Sequence, residues 1–121
     1  MIKVAIIGLG IMGRRMMDHM VIHSNFQPEF LWDPDEKACE LAHKEHPKSK
    51  IMANATEAIQ AAELVYLACP PTVRKAYALE AAKLGKPLFL EKPLGVNVEE
   101  SKDLVVKLSN YKIPVAVNFT Q

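Results

Sequence analysis

Gly8, Gly10 and Gly13 form a Gly-x-Gly-x-x-Gly turn that directly follows the apolar run Val4–Ile7 and leads into a stretch with helical patterning. Glycines at this spacing suit a diphosphate. The first permits a sharp turn, the second lets the backbone approach a ligand with no Cβ between them, and the third lets the helix pack closely on the strand. The backbone of Gly8, Leu9, Gly10, Ile11, Met12 and Gly13 would then border the phosphate oxygens, with the N–H groups and dipole of the helix start attracting the negative charge. Arg14 and Arg15 begin the same helix and either touch phosphate or face solvent as ordinary surface charges.

Asp33 stands at the end of the second apolar run, twenty residues beyond Gly13. At that place a carboxylate accepts hydrogen bonds from the ribose hydroxyls of an adenosine, and it would repel a 2′-phosphate. The expected cofactor is therefore NAD rather than NADP. No arginine follows Asp33 directly, and Lys37 lies a helical turn away. The other reading of Asp33 is an N-cap of the second helix, with Glu36 three residues on as its capping-box partner; the two roles are compatible.

The elements that must hold these groups can be read from the apolar pattern. Strand-length runs occur at Ile2–Ile7, Glu29–Trp32, Lys50–Met52, Leu64–Ala68, Pro87–Leu90 and Val115–Asn118. Most are continuous rather than alternating, as in parallel strands covered on both faces. Helical stretches lie between them at about 11–24, 35–46, 55–62, 72–84 and 97–109. In the fourth, Val73, Tyr77, Ala81 and Leu84 are expected to form the buried stripe, with Gly85 as the left-handed residue after the helix. In the fifth, Asn97 and Glu100 have capping-box spacing, and Leu104, Val105 and Leu108 form the expected buried face. The pattern predicts a doubly wound α/β Rossmann fold of three layers, with about six parallel strands in the order 3-2-1-4-5-6.

Composition is consistent with this and excludes little else. The chain has 121 residues, half of them apolar and a quarter charged, with a net charge of +1. That length suits one domain with a single core. The weak net charge and the lack of basic–aromatic interleaving argue against nucleic acid as a partner. No apolar run approaches the roughly 20 residues of a membrane span, and Met1–Ile7 is too short for a signal peptide. Cys39 and Cys69 show no disulfide framework and read as reduced thiols of a cytoplasmic protein.

A second motif is more specific. The fourth strand ends in Ala68-Cys69-Pro70-Pro71, and the fifth is framed by Gly85-Lys86 before it and Glu91-Lys92-Pro93-Leu94-Gly95 after it. With the glycine turn and Asp33, this arrangement resembles the N-terminal domain of the Gfo/Idh/MocA oxidoreductase family, which includes inositol and sugar dehydrogenases. The resemblance covers essentially the whole chain but only the N-terminal half of the family's architecture. It implies that Lys92 sits beside the nicotinamide and the substrate as the catalytic residue. An ammonium there would hydrogen-bond the hydroxyl being oxidised and stabilise charge on its oxygen. Glu91 and Pro93 would set the loop that aims it. Cys69, Pro70, Pro71 and Asn118 would border the cofactor, although Pro71 is equally a favoured opening residue for a helix.

The chain departs from the family pattern in three ways. Arg74 stands where a histidine is common, the base-bearing motif of the second domain is absent, and Gln121 ends the chain beside Asn118. The expectation is one nucleotide-binding domain over residues 1–121, without the C-terminal substrate domain and inactive in isolation. Its ligands would be NAD(H) and, in the longer protein, a sugar or polyol. The oligomeric state stays open between monomer and homo-oligomer, because the resemblance puts the pairing surface mainly in the second domain.

The alternative from another class is a non-catalytic NAD-binding regulatory or sensor module. A different Rossmann dehydrogenase fits less well, given the complete Glu-Lys-Pro-Leu-Gly stretch. No metal site is expected: His19 with His23, and His43 with His46, have ligand spacing but no carboxylate or cysteine to complete them. Met12, Met16, Met17 and Met20 read as core. Cys69 lies near the ligand edge without an evident activating neighbour.

Overall fold

A computed structural model describes residues 1–22, 25–91 and 97–118, with residue 118 described for its backbone only. The elements in order are β1 (Ile2–Ile7), α1 (Ile11–Ile22), β2 (Phe26–Trp32), α2 (Glu36–Glu45), β3 (Lys50–Ile51), α3 (Ala55–Ala61), β4 (Leu64–Leu67), α4 (Pro71–Lys83), β5 (Leu88–Glu91), α5 (Val98–Ser109) and β6 (Val115–Asn118). All strand pairs are parallel, in the order β3-β2-β1-β4-β5-β6. This is the expected doubly wound sheet, and it reverses direction between β1 and β4.

The four central strands, β2, β1, β4 and β5, feed two cores, which is why they read as largely unbroken apolar runs. On one face Val4, Ile6, Leu31 and Tyr66 pack with Met17 and Met20 of α1 and with Cys39 and Ala42 of α2. On the other, Ala5, Ile7, Val65, Leu67, Leu88 and Leu90 pack with α3, α4 and α5. The helices are capped by local chemistry. The Asn54 and Asn97 side chains accept hydrogen bonds from the N–H groups of Glu57 and Glu100 at 2.8 and 2.9 Å. Gly85 takes a left-handed φ of 72° just after α4.

Four details differ from expectation. The strand β2 begins at Phe26 rather than Glu29, although Pro28 interrupts its pattern. The ladder absorbs the proline with a bulge: Val4 pairs with Pro28 and Ala5 with Phe30, so Glu29 is the extra residue. The buried face of α4 is Arg74, Ala78, Ala81 and Ala82, while Val73 and Leu84 are 41% and 47% exposed. Small side chains, rather than the larger apolar ones, let this helix lie close to the sheet. In α5, Leu104 and Leu108 are buried but Val105 is 53% exposed. Of the α1 methionines, Met17 and Met20 are core and Met16 packs against it, whereas Met12 is exposed at the helix start.

The α5 assignment can be checked by chemical denaturation. Leu104→Ala is expected to cost about 2–5 kcal/mol through a cavity in the core. Val105→Ala should stay within about 0.5 kcal/mol of the parent. Equal costs for the two would reverse the assignment of the buried face.

Candidate functional site

The glycine turn lies where β1 leaves the sheet. Gly8 has φ of 101°, and a Cβ built on it would lie 2.6 Å from the Cys69 amide nitrogen. A Cβ on Gly13 would lie 2.0 Å from the Gly8 carbonyl oxygen, so the first turn of α1 rests directly on the turn before it. Gly10 is different. It is exposed, and a Cβ there would meet nothing within 4 Å among the described residues. The protein itself therefore needs glycine at positions 8 and 13, while at position 10 it leaves open space. Beside that space, Ile11, Met12 and Gly13 begin α1, where backbone N–H groups lack intrahelical acceptors.

Asp33 is fixed against this turn rather than capping α2. Its Oδ2 accepts the Leu9 N–H at 2.7 Å, and its Oδ1 accepts the Asp35 N–H at 2.8 Å. The N-cap of α2 is Asp35, whose carboxylate accepts the Lys37 N–H at 3.0 Å. The capping alternative for Asp33 is thus corrected, because the chain makes one more turn before the helix begins. Leu9 contributes a fully buried side chain and donates its N–H to Asp33. Each carboxylate oxygen of Asp33 keeps a further acceptor position, and the side chain borders a cleft of about 560 Å³. Trp32, Pro34, Glu36, Cys39, Glu40, Ile51, Met52 and Ala53 complete its lining. The cleft lies at the carboxyl ends of β2 and β3, on the ligand side of an open α/β sheet.

Across the switch point, β4 ends at Leu67 and the chain turns through Cys69 and Pro70 into α4, with Pro71 as its first residue. The Arg74 side chain, 3% exposed, donates through Nη2 to the Cys69 carbonyl and through Nη1 to the Glu91 carbonyl. The Tyr66 hydroxyl donates to the Glu91 carboxylate, and the Tyr66 ring lies 5.3 Å from that of Phe89. Burial and the bond to Glu91 push the Tyr66 phenol well above its ordinary range. Burial pulls the Arg74 guanidinium down from its usual value, opposed by the groups around it at Cys69 and Glu91.

Burial likewise raises the Cys39 and Cys69 thiols above their ordinary value. Lys92, Pro93, Leu94 and Gly95 lie outside the described residues, as does the Asn118 side chain. The Asn118 backbone pairs with Glu91 across β5 and β6.

The sheet therefore gathers the turn, Asp33, Cys69, Pro70, Pro71 and Glu91 along its carboxyl edge. Reasoning from sequence missed Tyr66 and the use made of Arg74. Tyr66 read as one more apolar strand residue, and a family departure was the only signal at position 74. Of the paired histidines, His46 Nε2 lies 2.8 Å from Asp18 Oδ1, and His23 is outside the described residues. Among the described residues, no group of three His, Cys, Asp or Glu side chains could hold a metal ion. Arg14 lies 3.7 Å from Glu45 on α2, and Arg15 is exposed. No helix among the described residues is long and apolar enough to cross a membrane.

Comparison with known proteins places the geometry in a lineage. The family model described as an oxidoreductase family with an NAD-binding Rossmann fold, Gfo/Idh/MocA, matches residues 2–119. Oxidoreductase P35 of Formosa agariphila is 38% identical over 86 residues, covering 68% of this chain and 26% of that protein. The inositol 2-dehydrogenase/D-chiro-inositol 3-dehydrogenase of Lacticaseibacillus casei is 29% identical over 123 residues, covering 98% of this chain and 36% of that protein.

The crystal structure of myo-inositol dehydrogenase from Lactobacillus casei in complex with NAD(H) and myo-inositol superposes with a TM-score of 0.88 at 29% identity. The match covers 98% of this chain and 36% of that one. The chain thus spans about a quarter to a third of the length of these relatives. A glycine turn open at Gly10, an acid fixed beside it and a Glu-Lys-Pro segment at the end of β5 have one common explanation: the chain belongs to the Gfo/Idh/MocA oxidoreductase family and is its NAD-binding Rossmann domain.

Proposed function

We propose that this chain is the cofactor-holding part of an NAD-preferring dehydrogenase that oxidises a hydroxyl of a polyol or sugar-like substrate. The observation that carries the binding half is Gly10, a glycine whose missing Cβ would meet nothing within 4 Å among the described residues. It lies beside the amides of a helix start, and the close approach of a pyrophosphate accounts for both features.

The preference for NAD rests on the cleft at Asp33. Asp33, Glu36 and Glu40 are among its lining residues, and among the described residues no Lys or Arg lines it. A 2′-phosphate would bring its charge against those carboxylates. Asp33 is already oriented by the Leu9 N–H, so accepting a ribose hydroxyl requires no rearrangement of its side chain.

When bound, the nicotinamide supplies a hydride acceptor at C4. Lys92, covalently next to Glu91, hydrogen-bonds the substrate hydroxyl and stabilises the charge that develops on its oxygen as the carbon loses hydride. The hydroxyl proton passes to a base carried by a second, substrate-binding domain beyond these 121 residues. Cys69, Pro70, Pro71 and Asn118 border the nicotinamide side. The polyol class is supported by the 29% identical relative whose crystal structure holds NAD(H) and myo-inositol. The two free thiols, Cys39 and Cys69, fit a cytoplasmic setting.

Thermal unfolding with each nucleotide tests cofactor and preference together. NAD(H) at 100 times its Kd should add about 2.7 kcal/mol of stability, and NADP(H) at the same concentration should add less. No shift with either would overturn the binding claim, and a larger shift with NADP(H) would overturn the role given to Asp33.

Two substitutions separate fold from ligand. Gly10→Ala should leave the stability of the free chain within about 1 kcal/mol and abolish most of the NAD-induced shift. Gly8→Ala should cost about 2 kcal/mol or more without any ligand, because φ is positive and the Cβ meets backbone. Assays of NAD reduction with the chain alone should show no turnover of myo-inositol; robust activity would contradict the assignment of the base to a second domain.

A further inference from the structure

The Arg74 side chain is costly where it stands. It is buried at 3% exposure, and it occupies the first turns of α4, where the helix dipole opposes a positive charge. What compensates is the company of strand ends. The guanidinium donates to one carbonyl two residues past the end of β4, Cys69 O, and to one on the last residue of the neighbouring parallel strand β5, Glu91 O. A planar fork of donors can span two such acceptors at once, which a single ammonium does not do in the same geometry.

Both carbonyls belong to residues with a second job. The Cys69 amide is the backbone that leaves no room for a Cβ on Gly8, so Cys69 is held between the glycine turn and Arg74. Glu91 is the residue before Lys92, and its carboxylate is itself fixed by the Tyr66 hydroxyl. A continuous path thus runs from the phosphate turn to the first bond of the Glu-Lys-Pro segment: Gly8, Cys69, Arg74, Glu91. Every link is a backbone group or is bonded to one, so the path fixes main-chain position rather than a side-chain rotamer.

We infer that Arg74 is a positioning residue that fixes the end of β5 at Glu91 relative to the glycine turn, and so orders the nicotinamide half of the bound cofactor. The inference rests on the reading that Lys92 faces the nicotinamide. It assigns no contact between Arg74 and the cofactor. The adenosine half, held by the turn and Asp33, should be indifferent to it.

The test compares NADH with ADP, which carries the adenosine and diphosphate but no nicotinamide, on the 121-residue chain and its variants. In the parent, bound NADH should show altered nicotinamide emission. Arg74→Met should weaken NADH by about tenfold, as expected for loss of charge-assisted hydrogen bonds, and leave ADP within about twofold. The emission change should be lost with it. If the apolar variant does not fold, Arg74→Lys keeps the charge and should give the same selective loss at about threefold, because one ammonium replaces a two-pronged contact.

Equal weakening of NADH and ADP in the folded variants, or unchanged NADH affinity and emission, would overturn the inference and leave Arg74 as a structural residue only. A parent chain that binds NADH without any emission change would instead remove the reading of Lys92, and this inference with it.

Discussion

The ends of β1 and β4 meet with no space for a methyl group between them. Gly8 supplies the positive φ that turns the chain out of β1, and the Cys69 amide stands where its Cβ would be. This contact is the switch point of the sheet, where strand order reverses and the crevice for a dinucleotide opens. The neighbouring ligand-side groups are referred to it. Asp33, at the end of β2, bonds the residue after Gly8, and Arg74 bonds the carbonyl of Cys69 and passes the constraint on to β5. Four adjacent strand ends are thereby held in a fixed relation along one edge.

The interior explains how the edge can be so closely tied. Two cores, one on each face, hold the middle of the strands with fully buried Ile, Leu and Val side chains. The alanines of α4 bring that helix near the sheet, which lets the side chain of its first turns reach the strand ends. A buried cation and a buried carboxylate are poor sources of stability compared with apolar packing. Arg74 and Glu91 are instead satisfied by backbone and by Tyr66 at the place where Lys92 begins. The arrangement favours a defined geometry at the cost of a simpler core.

The features legible in the sequence were those written in local pattern. The glycine turn, Asp33 twenty residues on, the number and order of the strands and the caps at Asn97 and Gly85 were read from pattern, and the structure has them. What was not legible depends on partners far along the chain. Periodicity marked Val73 and Leu84 as the buried stripe of α4 because it weighs size, whereas the sheet selected alanines and an arginine. Pro28 concealed the first half of β2, since its place is made by a bulge in the ladder with β1. The N-cap at Asp35 was displaced from Asp33 by a bond to Leu9, 24 residues away. Tyr66 carries no signal until its hydroxyl is known to reach Glu91, two residues beyond its register partner Phe89.

The central claim is that one edge of the sheet, and not the other, holds a dinucleotide. Its most direct test is a titration of the isotope-labelled chain with NAD followed by amide NMR shifts. The largest changes should fall on Leu9 to Gly13, Asp33 and Cys69. Ile2, Phe26 and Leu64, around an apolar cleft of about 540 Å³ at the opposite edge, should hardly move. Changes concentrated at that cleft, with the glycine turn unmoved, would contradict the claim.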